Sequence, residues 1–215
     1  MNRVRSLVIE AVDASAELMA RPSVVEKWDE PSALEGMTVG ALSAHLVRAA
    51  GAALAYLDRT DASLTAADVD AKDLLTPVTY FTAALEAPIH DQIKDVSASE
   101  AEAGPSEIAA KCQQVADDMR LRFADEPESR LVGALGGRML SLDDFCRTRL
   151  IEVLTHLDDL AVSVDEERPP TSDEGIAIVV DINTNIARAR HGDWTVLYAL
   201  SRAERLGDTS VFPVF

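Results

Sequence analysis

Positive charge is scarce in this chain: 20 lysines and arginines stand against 37 acids, a formal charge of −17. That balance repels a nucleic acid, and it repels an anionic membrane surface in the same way. Cysteine is scarcer still. Cys112 and Cys146 fit no CxxC zinc or redox spacing, and two isolated thiols suit a reduced, cytoplasmic setting better than a disulfide scaffold. No uninterrupted apolar run of about 18 residues is present, so no membrane span is expected. Glu10, Asp13 and Glu17 interrupt the first segment, so a secretory leader is not expected either. Alternating strand patterns are almost absent. A hydrophobic share of 47% with 27% charged residues over 215 positions remains, enough for one full core.

Helical periodicity fills most of the chain. Val4, Leu7, Val8, Ala11, Ala14 and Leu18 make one stripe and predict a helix over 3–20. Trp28 lies in a connector, where Ser32-x-x-Glu35 reads as a capping box on a single turn. Thr38 caps a second long helix over 38–57, and 58–75 reads as an acidic loop with a short helical piece. A third helix is expected over 77–95 with a kink or break at Pro88. The stretch SASEAEAGPSE is a break, punctuated by Gly104-Pro105. A fourth helix is expected over 106–125. The glycine-rich 130–140 reads as an irregular connector or short strand, and a long helix covers 141–164. After Pro169-Pro170, helices are expected over 173–190 and 194–205, and the apolar VFPVF end is extended. Helices joined by loops give an all-α bundle, divided into residues 1–168 and a helical extension, 169–215, packed on it.

The chemistry gathers on the 141–164 helix. Arg149, Glu152, His156 and Asp159 are spaced by three, four and three, so they stack on one side over successive turns. Glu152 and His156, one turn apart, could reach the same cation. Ile151, Val153, Leu154 and Leu157 surround them, and a buried carboxylate and imidazole need a partner, so another helix should supply a third ligand. His45, mid-helix beside Leu42 and Leu46, reads either as a packed histidine or as that ligand. Arg149 either clamps a substrate carboxylate or pairs with Glu152, Asp144 or Asp143. Asp159 either holds the His156 ring or is a solvated acid. His90 reads as exposed, and His191, before Gly192, reads as a helix end where a cationic histidine suits the dipole. Arg188, Arg190, Arg202 and Arg205 form a basic concentration that binds an anion or pairs with Glu204 and Asp208.

GMTVGALSAHL, with His45, and RTRLIEVLTHLDDL, with Glu152 and His156, together resemble the mycothiol-dependent maleylpyruvate isomerase family, within the DinB-like superfamily of metal-binding four-helix bundles. RHGDWTVLYALSRAERL resembles tails of actinobacterial relatives. The resemblance implies a divalent metal, usually zinc, held by His45, Glu152 and His156, with mycothiol as the thiol co-substrate. It leaves the electrophile open, because the compact helical tail offers no place for the isomerase's C-terminal substrate-binding elements, and substrate identity does not travel with a fold. The expected activity is a thiol transferase or isomerase acting on a small electrophile. The alternatives are a metal-binding bundle that binds a partner without catalysis and a helical protein whose three residues never meet. A small-molecule thiol and an electrophile are the expected partners, with a homodimer left open.

Overall fold

A computed structural model describes residues 2–82, 87–133 and 137–214, and for 87–91 the backbone course alone. The expectations for residues 83–86 and for 134–136, with Gly136 among them, lie outside the described residues. The architecture is all-α. The α-helices are α1 (Arg3–Met19), α2 (Pro22–Glu26), α3 (Val39–Arg59), α4 (Pro77–Thr82), α5 (Ala87–Ala101), α6 (Pro105–Ala124), α7 (Leu142–Ser163), α8 (Asp173–His191) and α9 (Asp193–Ser201). One small antiparallel hairpin pairs β1 (Leu131–Gly133) with β2 (Met139–Ser141).

Four helices form the central ring. α1 packs between α6 and α7, and α3 packs between the same two, so α1 and α3 stand diagonally opposed. Their apolar stripes meet in the middle, where Leu42, Leu46, Met119, Phe123 and Phe145 are fully buried. Each such side chain contributes roughly 1.5–3 kcal/mol relative to exposure. The two site-bearing helices start from matched caps. The Thr38 hydroxyl accepts from the Ala41 N–H, and the Ser141 hydroxyl accepts from the Asp144 N–H. Asp143 and Asp144 then meet the positive end of the α7 dipole. By length and composition α3 could also cross a membrane, yet 56% of its most apolar window is buried inside the protein, as for a core helix.

Two buried arginines tie loops to this ring. Arg5 donates to Asp143 at the start of α7 and to the carbonyls of Phe123, Glu126 and Pro127 after α6. Arg130 donates to the carbonyls of Leu57, Thr60 and Asp61, closing the end of α3. Trp28 covers the start of α3 so closely that a Cβ on Gly40 would lie 2.5 Å from its ring, which leaves room only for glycine.

The structure corrects several local expectations. Ser32 caps no helix; its hydroxyl bonds the Leu34 and Met37 carbonyls in a turn closed by a Pro31–Thr38 bridge. The break expected at Pro88 agrees with two separate helices, α4 ending at Thr82 and α5 starting at Ala87; Pro88 lies in the first turn of α5, where a missing N–H costs nothing. α5 runs on through Ser97 to Ala101, so the break falls at Gly104, whose φ of +86° opens α6. The 194–205 helix stops at Ser201 and resumes as a single 3-10 turn. In the extension, α8 packs on α4, α7 and α1, α9 packs on α8, and Val211 and Val214 are buried.

Candidate metal centre

The ring places α3 directly against α7, and this contact brings His45 to Glu152 and His156. One ligand atom from each of the three lies within 4.8 Å of the others. His45 Nε2 and His156 Nε2 are 3.2 Å apart, and Glu152 Oε2 is 3.6 Å from His156 Nε2. With metal–nitrogen arms of about 2.0–2.1 Å, two nitrogens on a tetrahedral ion stand about 3.3 Å apart, so the imidazoles already have the spacing of a shared zinc. Two imidazoles and one carboxylate are a donor set that fits zinc or another divalent ion with a position open.

Without an ion, the three groups titrate as a coupled set. Burial pushes His45 down to about 4, helped by the second imidazole. His156 is also buried, but hydrogen bonds to Asp159 and Glu152 outweigh that and hold it up at about 9. Burial would raise Glu152, yet the His156 hydrogen bond and the Arg149 charge hold it down at about 2. The site therefore carries one proton on its histidine pair and a charged carboxylate: a cation is already present in the form of a proton.

The surroundings of the two histidines differ. His156 Nδ1 is 2.9 Å from Asp159 Oδ2, so the ring donates there and turns its Nε2 to the site. His45 Nδ1 faces Arg48 Nη2 at 3.2 Å, a group that can only donate. Arg48 is held in turn by Glu100, by the Ser97 hydroxyl and by the Ile93 carbonyl of α5. A ligating His45 Nε2 requires the proton on Nδ1, which sets it against this guanidinium.

Arg149 is buried, 6% exposed. Its Nε donates to the Thr148 hydroxyl, its Nη1 donates to the Ala49 carbonyl, and its plane stacks on Phe145 at 4.9 Å. The expected acid partners are mostly taken: Asp143 serves Arg5 and Asp144 serves Arg147, leaving Glu152 at 4.0 Å. Tyr80, 5.9 Å from the guanidinium, has its hydroxyl pushed up by burial. Sequence reading found His45, Glu152, His156, Arg149 and Asp159 but missed Arg48, Ser97 and Tyr80. Arg48 had a signal, three residues after His45 on the same helix. Ser97 and Tyr80 come from other helices and had none. His191 is exposed, and His90 lies among the undescribed side chains.

Cys112 and Cys146 are both buried, and burial pushes each thiol up to about 12, so neither supplies a thiolate near neutral pH. Arg188 pairs with Asp193, and Arg190 reaches the Val214 and Phe81 carbonyls. Among the described residues neither Glu204 nor Asp208 receives an arginine, contrary to one of the two sequence expectations.

A bundle with two facing helices carrying His and Glu-x3-His is the class of protein the fold and site define. Residues 8–161 match the family described as the Mycothiol maleylpyruvate isomerase N-terminal domain. The chain belongs to that family. No curated protein and no solved structure matches it.

Proposed function

We propose that this protein is a divalent-metal-dependent thiol transferase or isomerase, which joins a mycothiol-type thiol to a small electrophilic substrate. The observation that carries the reading is the meeting of His45, Glu152 and His156 at the α3–α7 contact, with ligand atoms within 4.8 Å. Zinc is the metal that best suits this donor set and spacing. When bound, the ion supplies a charge that lowers the pKa of a coordinated thiol or polarises a carbonyl oxygen.

The chain's own residues do the rest. Asp159 fixes the His156 tautomer by accepting from Nδ1. Glu152 stays ionised at every physiological pH and offers its oxygen without giving up a proton. Since both cysteines are held as neutral buried thiols, the nucleophile comes from outside the chain, which is what a thiol co-substrate provides. Arg149 keeps a cation beside the site with two of its five N–H donors engaged by protein oxygens, so it is placed to orient an anionic group of the substrate. The free thiols also favour a cytoplasmic location.

Metal analysis of the purified protein, together with mycothiol titration of the zinc form and a thiol-consumption screen over several electrophiles, tests this reading. About one metal per chain, saturable thiol binding and thiol consumption are expected. Metal without thiol binding at millimolar concentration would instead leave a non-catalytic metal-binding module. Arg149→Ala should retain the metal and raise KM for an anionic substrate about tenfold to a hundredfold, the equivalent of a lost charge-assisted hydrogen bond. A lower melting temperature with unchanged KM would reduce Arg149 to a brace.

A further inference from the structure

Away from the metal centre, three exposed apolar side chains of the extension sit together on α9. Trp194 is 69% exposed, Leu197 49% and Leu200 66%. They recur every three residues and so lie along one side of the helix, while Val196, about 100° round the helix from the middle of that stripe, is buried. Together they present on the order of 400 Å² of apolar surface, the size at which a patch marks an interaction site.

The charges that border this stripe identify its occupant. Arg202 and Arg205 stand exposed beside Glu204 and Asp208. Arg202 bonds only the neighbouring Ser201 carbonyl, Arg205 lies over the Tyr198 ring at 5.6 Å, and none of the four forms an ion pair among the described residues. Two unpaired cations and two unpaired anions at the C-terminal end of the apolar stripe are self-complementary: a twofold axis running along α9 sets the arginines of one copy against the acids of the other. A net charge of −17 opposes self-association wherever acids face acids, and this near-neutral rim avoids that repulsion. An apolar centre of this size with a polar rim approaches the roughly 800 Å² per partner of a standard interface. We propose that the α9 face is the contact surface of a symmetric dimer, with a second copy of this chain as the partner, formed independently of metal binding.

Sedimentation equilibrium of the full chain across the micromolar range tests this, with Leu197→Glu and two rim variants alongside. One rim variant carries Arg202→Glu and Arg205→Glu, and the other carries Glu204→Lys and Asp208→Lys. A dimer is expected for the parent, with dissociation constants raised about tenfold or more in each variant. An equimolar mixture of the two rim variants should restore dimerisation, because each then meets the opposite charges. Circular dichroism of these surface variants should match the parent. With Trp28→Phe as background, Trp194 fluorescence should shift to the blue as concentration rises. A parent that stays monomeric, with Trp194 quenched like free indole, would overturn the proposal. So would rim variants that dimerise like the parent, or that weaken without mutual rescue.

Discussion

The α7 half of the candidate metal centre and the α3 half each contribute a histidine, yet the two sit in opposite electrostatic settings. His156 has an acceptor behind it, Asp159, and a carboxylate, Glu152, one turn away. His45 has a guanidinium behind it, Arg48, anchored to a neighbouring helix through Ser97 and Glu100. One half is built to hold positive charge and the other to resist it. Hence the proton of the metal-free site resides on the α7 side, and in the proposed metal site a half that draws cations works against a half that repels them.

Removing a ligand breaks the comparison outright. His45→Ala, Glu152→Ala or His156→Ala should each reduce metal content from about one per chain to background after gel filtration, because two remaining donors hold a divalent ion poorly. If His45→Ala retained stoichiometric metal, the α3 half would not belong to the site.

Altering the groups behind the ligands sharpens it, since the two changes should have opposite signs. Asp159→Asn removes the acceptor that orients His156 and should weaken metal binding about 10- to 100-fold. Arg48→Met removes a donor from His45 Nδ1 and should strengthen it, by an amount up to about tenfold. Competition against a chromogenic chelator reads both. Two changes in the same direction would mean that the halves do not differ as described.

The pH dependence comes next. His156, near 9 in the metal-free protein, lies above its unfolded value of about 6.5, so its contribution to stability is whole below 6.5 and is lost as pH rises through 9. His45, near 4, lies below its unfolded value, so its contribution is present above 6.5 and is lost as pH falls through 4. Metal must displace the shared proton, so affinity should rise about tenfold per pH unit until about 9, with about one proton released per metal. Calorimetry in buffers of different ionisation enthalpy counts that proton. A pH-independent affinity between 6.5 and 8.5 would count against the coupled pair. Chelation should lower the melting temperature, because metal binds the folded form.

The smallest effect is one in which the halves should agree. Thr38→Ala and Ser141→Ala remove equivalent N-caps from α3 and α7 and should each cost about 1 kcal/mol, with metal affinity unchanged. Urea titration and chelator competition on both variants check this. A cap that altered metal affinity would show that frayed helix ends reach the site.

Periodicity alone determined the long elements. Over 3–20, 38–57 and 141–164 the apolar spacing and the polar cap residues are local properties, and α1, α3 and α7 end within two residues of those bounds. The Glu152–His156–Asp159 geometry was legible for the same reason, since positions three and four apart on a helix must be neighbours. Shorter pieces were misread wherever side chains and backbone compete locally: the Ser32 hydroxyl caps no helix because it bonds the Leu34 and Met37 carbonyls instead. Only the tertiary structure decided that His45 meets His156, 111 positions away, and that an arginine rather than a carboxylate stands behind it. It alone decided that Arg5 and Arg130 would be buried, because most of their acceptors are backbone carbonyls up to about 120 positions distant, and every residue type presents the same carbonyl. A sequence displays side chains in order along a chain, but a site is set by which helix faces pack together, and that follows from the burial of the whole core.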